Sequence, residues 1–83
     1  MPVDAPVDAA RARLAGVYLL TPDTDERGFE RVLEVTRQAV VAGVRVVQYR
    51  NKTAGRERRL TEARRLVALA HSANALAIVN DDL

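Results

Sequence analysis

The amino-acid sequence predicts an α/β fold in the order strand, helix, strand, helix, strand. Three observations carry that prediction. Three short apolar runs, Gly16 to Thr21, Val44 to Arg50 and Ala75 to Val79, are bounded by turn-forming residues and contain β-formers. Between them lie two stretches in which apolar residues recur with a helical period. The chain has 83 residues, 48% of them hydrophobic and 29% charged, which supports the core of a single folded domain.

The elements are read in order. Residues 1–13 form a flexible arm, because Pro2 and Pro6 block regular structure, and 14–83 form the folded part. Gly16-Val17-Tyr18-Leu19-Leu20-Thr21 reads as a strand buried on both faces, stopped by Pro22-Asp23. Residues 22–26 supply turn chemistry and the acidic side chains of a helix start. Phe29, Val32, Leu33, Thr36, Ala39 and Val40 then form one face of an amphipathic helix, with Gly43 at its C-terminal end.

Val44 to Arg50 is the second strand, rich in β-branched residues, and residues 53–55 form a loop. The second helix places Leu60, Ala63, Val67 and Ala70 on its inner face and its arginines on the other, and it ends near Asn74. Ala75 to Val79 is the third strand. Strands linked by helices lie parallel, and sites in such folds gather at the C-terminal ends of the strands.

Composition excludes several functions. There is no cysteine, hence no disulfide framework, no thiolate zinc site and no catalytic thiol, and a reducing, cytoplasmic setting is expected. No apolar run is long enough for a membrane span, and the N-terminus has no secretory core, so no membrane partner is expected. The net charge is only +2. The densest basic run, Arg56, Arg58, Arg59, Arg64 and Arg65, is interrupted by Glu57 and Glu62 and carries no aromatic residue. It reads as a solvated helix face, with no nucleic-acid partner. His71, in the last turns of that helix, reads as a terminus residue.

The polar strand ends are where chemistry is expected. Side chains alternate faces along a strand, so Gln48, Arg50 and Lys52 point the same way, and Tyr49 and Asn51 point to the other face. A guanidinium fork, an ammonium and an amide suit a polyanion such as a diphosphate. The same spacing also fits two cations that merely extend into solvent at a strand end. Lys52 is the one lysine of the chain. Asn80-Asp81, after the third strand, fits either an Asx turn or a carboxylate that binds Mg²⁺ beside a diphosphate.

Taken together, the blocks Gly16-Val17-Tyr18-Leu19-Leu20-Thr21, Ala42-Gly43-Val44-Arg45-Val46-Val47-Gln48-Tyr49-Arg50-Asn51-Lys52 and Ile78-Val79-Asn80-Asp81-Asp82 resemble the N-terminal part of the thiamine-phosphate synthase family, also called thiamine-phosphate pyrophosphorylase. The resemblance covers about residues 16–83. It implies a β-α-β-α-β portion of a (β/α)8 TIM barrel, incomplete in 83 residues. It implies a transferase of thiamine biosynthesis that couples hydroxymethylpyrimidine diphosphate with thiazole phosphate, releasing diphosphate. Gln48, Arg50, Lys52 and Asn80 would hold the pyrimidine diphosphate, Arg50 and Lys52 would act in catalysis, and Asp81 would bind Mg²⁺. The 83 residues are then expected to be a portion of a longer synthase, inactive alone. The alternatives are a thiazole tautomerase-like barrel protein and a non-catalytic module that self-associates through its open edges, as a homo-oligomer.

Overall fold

The computed structural model describes residues 16–80. The expected arm, 1–13, and Asp81 and Asp82 lie outside the described residues. The order is β1 (Tyr18–Leu20), α1 (Phe29–Ala42), β2 (Val46–Tyr49), α2 (Arg56–Ser72) and β3 (Leu76–Val79). The three strands form one parallel sheet in the order β1-β2-β3. Tyr18 to Leu20 are in register with Val46 to Gln48, and Val46 to Tyr49 with Leu76 to Val79. All three strands therefore end at the same edge of the sheet. No described helix is long and apolar enough to cross a membrane.

Both helices pack on one face of the sheet. The core joins Phe29, Val32 and Val40 of α1, Val47 and Tyr49 of β2, and Ala63, Leu66 and Ala70 of α2. Every α1 residue assigned to the inner face from its period is buried or half-buried. The Phe29 ring stands edge-on to the Tyr49 ring, at 90° with 6.2 Å between centroids, a favoured aromatic arrangement. Thr36, a polar member of the stripe, is accommodated because its hydroxyl donates to the Val32 carbonyl at 2.7 Å.

Both helices end on a left-handed residue. Gly43 has φ 127°, and the amides of Gly43 and Val44 bond back to the Val40 and Ala39 carbonyls. Asn74 has φ 59°, and the amides of Asn74 and Ala75 bond back to His71 and Ala70. These paired bonds satisfy the last carbonyls of each helix, and Asn is the side chain best suited to that conformation after Gly. Exposed His71 sits in the last turn of α2.

Three sequence expectations are corrected. β1 is not buried on both faces: Tyr18 and Leu20 are 52% and 51% exposed, because helices cover only the other side of the sheet. α1 starts at Phe29, later than the acidic turn, and Asp25 instead accepts a hydrogen bond from the Gly28 amide at 2.7 Å. The inner face of α2 is Glu62, Ala63, Leu66 and Ala70, while Leu60 is 49% exposed.

That rotated face is testable. Leu66, fully buried, should lose about 2–5 kcal/mol of stability on truncation to Ala, measured by urea unfolding. Leu60→Ala should lose less than about 1 kcal/mol. Equal losses at the two positions would return α2 to the face read from the sequence.

Candidate functional site

The residues after β2 are held by a buried polar network centred on Glu62. Glu62 is only 4% accessible, and its Oε1 accepts hydrogen bonds from the Tyr49 hydroxyl at 2.7 Å and the Asn51 side-chain amide at 3.0 Å. Arg58, one helical turn earlier, places its Nε 3.3 Å from the other carboxylate oxygen. A buried carboxylate needs such partners, since charge removed from water without them is strongly unfavourable. Burial, together with the bond to Glu62, pushes the Tyr49 phenol well above its ordinary pKa.

The same network reaches the loop between β1 and α1. The Thr24 carbonyl accepts from Asn51 Nδ2 at 3.0 Å and Arg58 Nη2 at 2.8 Å, with the Thr53 hydroxyl also at 2.9 Å. Asn51 Oδ1 accepts from the Thr24 amide. Two further bonds join that loop to the backbone after β2. Thr21 Oγ1 accepts from the Arg50 amide at 3.1 Å, and Asp23 Oδ1 accepts from the Lys52 amide at 2.9 Å. Thr21, Thr24 and Asp23 thus fix the backbone from which Arg50 and Lys52 project.

The alternation read from the sequence continues past the strand. Val47, Tyr49 and Asn51 are buried toward the helices, while Val46, Gln48 and Arg50 are half-buried and Lys52 is exposed. Asn80 lies beside this segment, because its amide donates to the Tyr49 carbonyl at 2.9 Å. Arg50, Lys52 and Asn80 line one recess of about 120 Å³, together with Asn51 and Arg59. Gln48 is set one step back, outside that lining, in register between Leu20 and Ile78. The Tyr18 hydroxyl donates to its Oε1 at 2.7 Å, which leaves the Gln48 amide nitrogen to act as a donor.

Cations and amides without a carboxylate among the described lining residues are a donor set for an anion. They are not one for a metal, and no described cluster of three His, Cys, Asp or Glu could hold one. Asp81, the residue expected to bind Mg²⁺, lies outside the described residues.

Two of the residues that build this site escaped the sequence reading, Glu62 and Arg59. Glu62 sits in a run that reads as a solvated face, yet it is buried. Its sequence signal was its spacing, four residues after Arg58 and one before Ala63 on the inner face. Arg59 lies four residues before Ala63, on the same side of α2. Nor is Arg65 merely solvated: it makes a two-pronged pair with Glu30 of α1, at 2.6 and 3.0 Å, which holds the Glu30 carboxyl below its usual range.

The chain matches the family model described as thiamine monophosphate synthase over residues 17–83. It is 40% identical over 73 residues to a thiamine-phosphate synthase of Janthinobacterium sp. (strain Marseille), covering 88% of this chain and 34% of that protein. It is 41% identical over 78 residues to one from Thermosynechococcus vestitus, covering 92% of this chain and 21% of the relative. With one from Thermoplasma acidophilum it shares 34% identity over 71 residues, 86% of this chain and 32% of the relative. The chain thus spans between about a fifth and about a third of the length of these relatives. No solved structure matches it.

The Tyr49–Glu62 bond sets a pH dependence. A phenol whose folded pKa is raised stabilises the fold fully below its unfolded pKa of about 10, and that contribution is lost as pH climbs from there toward the folded value. Tyr49→Phe should flatten this alkaline decline in urea-unfolding free energy. At neutral pH it should cost about 1–3 kcal/mol, because Glu62 loses a buried donor. An unchanged alkaline slope in the variant would remove Tyr49 as its source.

Proposed function

Starting from the thiamine monophosphate synthase family, to which the chain belongs, we propose that the recess at the strand ends binds the diphosphate of hydroxymethylpyrimidine diphosphate. The reaction is the Mg²⁺-dependent transfer of the pyrimidine methylene to the nitrogen of thiazole phosphate, giving thiamine phosphate and diphosphate. The observation that carries this reading is the convergence of Arg50, Lys52 and Asn80, from just past the ends of two neighbouring strands, on one recess.

The chemistry is a substitution. The bond between the methylene carbon and the diphosphate oxygen breaks, and its electron pair leaves with the diphosphate. An electron-rich aminopyrimidine stabilises the resulting cation at the methylene. The thiazole nitrogen then supplies the electron pair of the new bond. Neither step needs a general base from this chain. What the protein contributes is positive charge fixed in place where negative charge builds on the leaving oxygen, the role given to Arg50 and Lys52. Their backbone is already tied to Thr21 and Asp23, so little reordering accompanies the reaction. Gln48, its Oε1 engaged by Tyr18, offers its amide donor to the pyrimidine end. Asn80 is assigned to the same substrate.

Asp81, next in sequence to Asn80, is the carboxylate proposed for Mg²⁺. Magnesium characteristically takes one or two carboxylates with substrate phosphate oxygens and water, and when bound it supplies further neutralisation of the leaving group.

Titration calorimetry of the 83-residue chain with hydroxymethylpyrimidine diphosphate and Mg²⁺ tests the reading. Arg50→Ala should weaken binding by at least about tenfold, the scale of a lost hydrogen bond between charged groups, with the thermal midpoint little changed. Unchanged affinity would remove Arg50 from the site. Asp81→Ala should move the Mg²⁺ dependence of binding to higher concentration, and an unaltered Mg²⁺ titration would contradict the ligand role.

A further inference from the structure

α2 brings a third cation to the recess. Arg59 lines it together with Arg50, Lys52 and Asn80. It also lines the adjoining hollow of about 130 Å³ between α2 and the end of β3, with Tyr49, Ala63 and Val79. Its placement follows from helix geometry. Ala63, one turn later on the same face, is buried in the core. Side chains on a helix lean toward its N-terminus, and in a parallel β-α unit that end lies beside the C-terminal edge of the sheet. Arg59 therefore extends from the line of Ala63 toward the strand ends.

Its neighbours on the helix are committed elsewhere. Arg58 is bonded to the Thr24 carbonyl and paired with Glu62, and Arg65 is paired with Glu30. Glu62 is occupied by Tyr49, Asn51 and Arg58. Arg59 is half-buried and makes no side-chain hydrogen bond or ion pair with any described residue. Arg59 therefore brings to the recess a partly desolvated guanidinium whose donors no described residue takes up, beside the side-chain amides of Asn51 and Asn80.

We propose that Arg59 is a binding residue for the diphosphate, a third positive charge delivered from the helix side to the anion held by Arg50 and Lys52. This rests on the reading of the recess as a diphosphate site. A diphosphate offers more acceptor oxygens than Arg50 and Lys52 can meet from one segment, and a cation from a second element approaches from another direction.

Inorganic diphosphate with Mg²⁺, titrated into the 83-residue chain, is the probe. Arg59→Gln should weaken binding by about tenfold, Arg59→Lys should stay within about threefold, and Arg64→Gln, on the exposed side of the helix, should leave it unchanged. Thermal melts of each variant report the fold. Arg59→Gln binding as tightly as the unmodified chain, while Arg50→Ala binds weakly, overturns the role of Arg59 and leaves the site. Weak binding by both Gln and Lys variants with a lowered melting point marks a structural role and also overturns it. No binding by the unmodified chain overturns the reading of the recess and this proposal with it.

Discussion

The burial of the Glu62 carboxylate constrains everything around the strand ends. A carboxylate on a residue only 4% accessible to solvent is tolerable only with partners on it: hydrogen-bond donors from β2 through Tyr49 and from the loop after it through Asn51, and the paired charge of Arg58 from α2. Tyr49 and Asn51 flank Arg50 in sequence. Fixing their side chains below the sheet fixes the backbone between them, so Arg50 is displayed on the opposite side. Core and site here are one structure: the Tyr49 ring that packs edge-on against Phe29 carries the hydroxyl that satisfies Glu62.

The network also explains why three separate segments meet at one edge. The Thr24 carbonyl accepts from Asn51 and Arg58, and Thr21 and Asp23 accept the amides of Arg50 and Lys52. Those loop residues offer oxygen acceptors, the side chains of Thr21 and Asp23 and the backbone carbonyl of Thr24, where the chain leaves β1. They do for the segment after β2 what a further strand would otherwise do, since Arg50 and Lys52 lie past the last ladder pair. A segment held by backbone hydrogen bonds can present cations without those cations having to pack.

Much of this was legible in the sequence. The period of Phe29, Val32, Thr36 and Val40 marked α1, Gly43 and Asn74 marked the helix ends, and the two-residue alternation from Val47 to Lys52 separated the packed side from the displayed side. What failed was burial that depends on partners distant in sequence. β1 is apolar on both sides, yet only its helix side is covered, and nothing local to Tyr18 or Leu20 states that. Glu62 looked solvated because its polarity argued for water. The donors that reverse that argument stand on a different element, at Tyr49 and Asn51.

The arginines of α2 show the same limit and its resolution. As a run they read as one solvated basic face, but helix geometry divides them by direction. Arg58 and Arg65, seven residues apart with Glu62 between them, turn toward α1 and its preceding loop, where carbonyl and carboxylate oxygens receive them. Arg65 also stands 5.8 Å over the Phe29 ring, so its position serves packing as well as charge. Arg59, turned away from those acceptors by a single residue step, faces Asn80 and the end of β2 instead. A charge pattern counted along the chain treats these residues as equivalent. Projected on the helix, each acquires a different neighbour, and Arg59, the one directed at the strand ends, comes to line the recess with Arg50, Lys52 and the side-chain amides of Asn51 and Asn80, the direction from which a second element can reach an anion there.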